Sequence, residues 1–175
     1  MVNVKVSRVI NGDPKKIWDL INQVERFPEW MPGITEARVT TKPKDKKTGL
    51  GRQQLLKTDI NLGKGETLQQ VIAWEPPNKI TWQHLKDVID GKEFNHAKEI
   101  KTTLSITNSE GEITIRMVGS WQPVGVSGQL MSRMMKRTVT KNFKQALKNL
   151  EKIIKKKTCL RAPFYQPEGT RPSLY

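Results

Sequence analysis

The chain opens with Val2, Val4 and Val6 alternating against Asn3, Lys5 and Ser7, the period of two that marks a strand with one buried face. "NGDP" ends it. Asp13 offers an oxygen to cap a helix, and Pro14 takes the first helical position, where a missing N–H costs nothing. Ile17, Leu20, Ile21 and Val24 then recur at i, i+3, i+4 and i+7, which predicts an amphipathic helix from Pro14 to about Val24. "FPEWMPGI", Phe27 to Ile34, follows. Its two prolines forbid a long helix, yet Trp30 and Met31 are too apolar for an idle loop, so one further helical turn is expected there, packed inward.

From Ile34 the period changes back to two. "TEARVTTK", "GRQQLLKTDI", "GETLQQVIAWEP", "KITWQHLKDVI", "AKEIKTTLSITN" and "GEITIRMVGSW" read as six strands in succession. They are separated by "PKDKKTG", "NLGKG", "PPN", "DGKE" and "SEG", all rich in turn residues. "QPVGVSG" reads as a hinge. Beyond it Leu130, Met131, Met134, Met135, Val139, Phe143, Ala146, Leu147, Leu150 and Ile154 repeat at three and four residues, one amphipathic helix of about 25–30 residues, or about 40 Å. It closes on three lysines, favourable at the negative end of a helix dipole. Met131, Met135, Phe143 and Leu147 are expected to face the sheet. The tail from residue 156 to 175 has three prolines and no period, and is expected to be irregular.

The fold class is therefore α+β: a curved antiparallel sheet of about seven strands wrapped on a long C-terminal helix, with two short helices after the first strand. Each must bury its apolar face against the other, and a sheet this wide twists and curls. "VINGDPKKIWDLINQVERFPEWMPGI", Trp82 in "KITWQ" and the closing "FKQALKNLEKII" carry a resemblance over residues 1–155. The chain resembles the START-like, helix-grip superfamily of pollen-allergen-type lipid carriers and polyketide cyclase/dehydrase-like proteins. The resemblance implies a V of two short helices propping the long helix above the sheet, with Trp30 plugging one end of the core.

Charge changes the picture only in part. Lys and Arg number 31 against 17 Asp and Glu, a net +14, which suits an anionic partner such as a membrane surface or nucleic acid. The lysines are dispersed and no aromatic-plus-Arg stacking motif accompanies them, which argues against nucleic acid. No run approaches the length of a membrane span, and no basic-then-apolar export signal opens the chain. The single Cys159 excludes an internal disulfide. A cytoplasmic protein is expected.

The chemistry-bearing residues are few. His84 shares the face of Ile80 and Trp82 by alternation, while His96 lies beside a turn. No H-E-x-x-H or comparable pattern proposes a metal, Cys159 has no His partner in sequence, and neither a catalytic set nor a cofactor motif emerges. Met117 shares an inward strand face with Ile113, Ile115 and Trp121, and methionine suits a pocket that adapts to varied apolar guests. Within the architecture that the resemblance implies, Trp82, His84, Met117, Trp121, Met131 and Met135 are the expected cavity lining. The expected function is binding or transport of a hydrophobic small molecule: a lipid, isoprenoid, quinone or polyketide-like compound. Two alternatives stand beside it. One is a cyclase, dehydratase or aromatase using His84 as acid/base, and the other a basic-surface module on membrane or nucleic acid.

Overall fold

Strands β1 (Val2–Ile10) and β2 (Ile34–Thr41) are consecutive strands in sequence, yet they form the two edges of one antiparallel sheet. The connection between them must therefore cross the full width of the sheet, which is why that stretch buries its aromatic side chains. In a computed structural model of the chain, which describes residues 1–42, 48–60 and 63–159, the crossing is made by α1 (Pro14–Asn22), a single 3₁₀ turn (Val24–Arg26) and α2 (Phe27–Trp30). Asp13 caps α1 by accepting from the Lys15 N–H, and Ile17, Leu20, Ile21, Val24, Phe27 and Trp30 are all buried.

The remaining strands are β3 (Gln53–Ile60), β4 (Gly63–Glu75), β5 (Lys79–Ile89), the two-residue β6 (Lys92–Glu93), β7 (Ala97–Ser109) and β8 (Glu112–Pro123). The sheet order is β1-β8-β7-β5-β4-β3-β2, with β6 paired to β5 alone. The "DGKE" turn thus contains a strand too short to show as a period. The helix-grip architecture is present as expected: α3 (Gly125–Cys159) lies across the concave face.

α3 is longer than its periodicity suggests, because "QPVGVSG" is not a hinge. Gly125, with φ of 66°, turns the chain directly from β8 into the helix. Gly128 then allows the first turn to pass against the loop after β6: a Cβ there would stand 2.4 Å from the His96 carbonyl oxygen. Gly125 thus serves a left-handed turn and Gly128 a close approach, and neither interrupts the helix. At the other end α3 continues to Cys159; the rest of the expected irregular tail, residues 160–175, lies outside the described residues.

Contact between α3 and the sheet is uneven along the helix. Phe143, Ala146, Leu147, Leu150 and Ile154 are buried, whereas Met135 and Val139 are half-buried and Met134 is exposed. Gly119 on β8 lets the helix approach, since a Cβ there would meet the Phe143 ring at 3.3 Å and Val139 at 3.4 Å. Replacing Phe143 by Ala should cost about 3–5 kcal/mol in urea unfolding, while Met135→Ala should cost less than about half of that. Equal losses at the two positions, or a loss below about 1 kcal/mol at Phe143, would contradict this uneven seal.

Candidate ligand cavity

Where α3 stands away from the sheet, a cavity of about 280 Å³ remains, near the small end of ligand-binding pockets. Its walls are largely apolar. Trp82, Trp121 and Phe143 contribute rings, and Leu56, Ile89, Ile100, Met134, Met135 and Val139 contribute aliphatic or thioether surface. Phe27 bridges the cavity to the plug below it: its ring meets Trp30 edge-on at 5.3 Å and Trp82 at 5.9 Å. Trp30 is fully buried and its carbonyl accepts from Asn149 of α3 at 3.2 Å. Trp121 ties the other end, its Nε1–H donating to the Ser132 hydroxyl at 2.8 Å.

Four of the six expected lining residues meet here: Trp82, His84, Trp121 and Met135. Met117 and Met131 do not line it. Met117 is fully buried in the core of β8, on the stretch where the sheet is tightly covered. Met131 lies on the flank of α3 instead, lining an outer groove with His96, Ser127 and Leu130; the helical period carries it away from the sheet at the point where the helix lifts.

The polar side of the cavity is built by a bulge. Gln69 of β4 pairs with His84, but the preceding Leu68 pairs with Lys86, so Leu85 is an extra residue in β5. In a regular strand residues 84 and 87 face opposite sides. The extra residue shifts the parity and brings Asp87 to the cavity beside His84. His84 Nδ1 lies 2.9 and 3.0 Å from the two Asp87 oxygens. An ionised carboxylate only accepts, so Nδ1 carries the hydrogen and donates. Thr67, opposite Asp87 on β4, donates its hydroxyl to the same carboxylate at 2.6 Å. No protein partner is found for His84 Nε2 among the described residues, and the two side chains remain 22% and 16% exposed.

Asp87, Thr67 and Gln69 were not among the expected residues. A signal for two of them exists in "GETLQQVIAW": Thr67 and Gln69 alternate with the inward Val71, polar residues on an otherwise apolar face. Gln69 is buried and continues sideways to Gln54 of β3, giving a row Gln54–Gln69–His84 across three strands. The Gln54 amide is fully buried with no partner among the described residues, as is Trp82 Nε1. The floor is therefore polar where Thr67, Gln69, His84 and Asp87 meet and apolar toward Leu56, Ile100 and the tryptophan rings. No group of three or more His, Cys, Asp or Glu side chains able to hold a metal occurs among the described residues.

Burial pushes the Asp87 carboxyl up, but the hydrogen bond and electrostatic attraction from His84, with the Thr67 hydroxyl, outweigh it and hold the carboxyl below its usual range. A carboxylate whose pKa is lowered by folding stabilises the fold above its unfolded pKa of about 3.9, and that contribution is lost as pH falls through the folded value. Asp87→Asn should therefore melt about 3–6 °C below the parent at pH 7, with the gap beginning to close near about pH 4 and closing fully only below the depressed folded value. Thermal melts across pH check this. A constant offset down to pH 2 would show that the carboxylate's charge is not what its partners hold.

The fold has recognisable relatives. A START superfamily protein from Mycobacterium smegmatis superposes with a TM-score of 0.69 at 15% identity, over 88% of this chain and 97% of that one. XoxI from Bacillus cereus gives 0.66 at 17% identity, over 90% and 99%. The di-domain ARO/CYC StfQ of the steffimycin biosynthetic pathway gives 0.71 at 10% identity, over 90% of this chain and 52% of that larger one. At such identities the likeness concerns the fold. No curated protein sequence matches the chain. The sequence model of the family described as polyketide cyclase/dehydrase and lipid transport matches residues 1–155, nearly the whole described chain, and the protein belongs to that family.

Proposed function

We propose that the protein binds and carries a hydrophobic or amphipathic small molecule (a lipid, isoprenoid, quinone or polyketide-like compound) between the sheet and α3. The observation that supports this best is the composition of the cavity: largely apolar walls around the polar cluster of Thr67, Gln69, His84 and Asp87. Covering about 200 Å² of apolar ligand surface is worth about 5 kcal/mol before the costs of association, so the walls drive binding without any catalytic group. His84 Nε2 and the Gln69 amide then orient the guest by its polar end. A hydroxyl, carbonyl or carboxyl at one end of an apolar body satisfies both requirements.

A second reading is favoured by one observation, the His84–Asp87 pair. An imidazole oriented by a carboxylate, with its far nitrogen facing a largely apolar space, is arranged as a general base is. In that reading the cavity serves a cyclase-, dehydratase- or aromatase-type reaction. His84 would take a proton on Nε2 while Asp87 stabilises the resulting imidazolium.

Native mass spectrometry of the purified protein should detect a co-purified apolar compound, and long-chain lipids or isoprenoids should change the fluorescence of Trp82 and Trp121. Met135→Trp should fill the space and weaken binding at least tenfold, about 1.4 kcal/mol, without unfolding the protein. His84→Ala should change which guests bind more than how tightly an apolar one does. No bound mass together with no fluorescence response to any of these guests would end the carrier reading. Turnover of a bound guest that His84→Ala abolishes while binding survives would replace it with the enzymatic one.

A further inference from the structure

The first third of α3 presents a surface that neither the core nor the cavity explains. Four of the nine large apolar side chains exposed among the described residues are Val124, Val126, Leu130 and Met134, at 41%, 85%, 72% and 42%. Val126, Leu130 and Met134 recur every four residues, so they form one stripe along the helix. Arg133, Lys136, Arg137, Lys141 and Lys144 follow on the next turns, and all five line one outer groove together with Thr140. From Ile113 to Leu150 the sequence contains no Asp or Glu. None of the five cations forms a salt bridge among the described residues. Such a cluster repels itself, and an anionic partner relieves that.

We infer that this face docks the protein on an anionic lipid bilayer, with Val126 and Leu130 inserted among the acyl chains and the five cations at the headgroups. An apolar stripe bordered by Lys and Arg on one helix is the pattern of interfacial membrane binding. Basic side chains alone would suit nucleic acid equally, but Val126 and Leu130 have no role against phosphates, and no exposed aromatic side chain on this face offers a base something to stack on. The surface is also continuous with the cavity. Met134 lines both the outer groove beside His96 and the cavity wall, next to Met135. Docking here brings the bilayer against the part of α3 that seals the sheet least, and an apolar guest then passes between membrane and cavity with little exposure to water. The docking itself holds whether the cavity carries or converts its guest.

Vesicle flotation with the full chain tests the inference. Vesicles of 70% phosphatidylcholine and 30% phosphatidylserine should retain the protein, and pure phosphatidylcholine vesicles should not. Lys136→Glu combined with Arg137→Glu should weaken retention by about thirtyfold or more, from the electrostatic attraction of each basic residue near an anionic surface. Val126→Ser combined with Leu130→Ser should weaken it about tenfold while leaving its salt dependence in place. All four residues are exposed and none lines the cavity, so melting temperatures should stay within a few degrees of the parent. Equal retention by neutral and anionic vesicles, no retention by either, or unchanged retention in both double variants would overturn the inference. Displacement from anionic vesicles by a short DNA duplex that binds more tightly would assign the face to nucleic acid instead.

Discussion

A single helix laid across a curved sheet cannot cover all of its concave face, and everything else in this structure follows from where along the helix the contact closes. Phe143, Leu147, Leu150 and Ile154 close it over the second half of α3. There the side chains interdigitate at the density of any protein core. Over the first half the same face carries Met134, Met135 and Val139, only partly covered. Gly119 sets the transition: with no side chain, it admits the Phe143 ring to the sheet surface. The cavity is the space left beyond that contact, so it owes its place to packing as much as to the residues lining it.

Within that space the bulge at Leu85 decides the chemistry. A regular β5 would have turned Asp87 toward the outside and left His84 without its carboxylate. One additional residue brings the two together and sets them opposite Thr67 and Gln69. Bulges re-aim side chains at a modest cost in ladder hydrogen bonds, and here the result is a polar cluster in a cavity that is otherwise apolar. The same arrangement orients a ligand and holds a base, which is why carrier and enzyme readings share one site.

Much of this was legible in the sequence. The alternation of Val2, Val4 and Val6, the Asp13–Pro14 start of α1 and the run "KITWQHLKDVI" correspond to elements with nearly the same bounds. Phe143 and Leu147 face the sheet as their spacing requires. What escaped is non-local. Alternation cannot show a bulge, because the extra residue is defined only by its partner strand, so Asp87 reads as facing away from His84. Met117 and Met131 have the right periodicity but the wrong place: periodicity states which side of an element faces inward, not whether a core or a cavity lies there. Gly128 reads as a breaker because the His96 carbonyl that demands a glycine there is remote in sequence.

The central claim, that an apolar space lies between the first half of α3 and the sheet, is tested most directly by diffraction from crystals held under xenon. Xenon enters dry apolar cavities and needs no knowledge of the natural guest. Xenon density is expected within the space bounded by Trp82, Trp121, Met135 and Phe143, and none beneath Leu147 and Leu150. Density absent from the first site, with Met135 packed against Trp121 in its place, would show that the helix seals the sheet along its whole length and that no cavity exists to be filled.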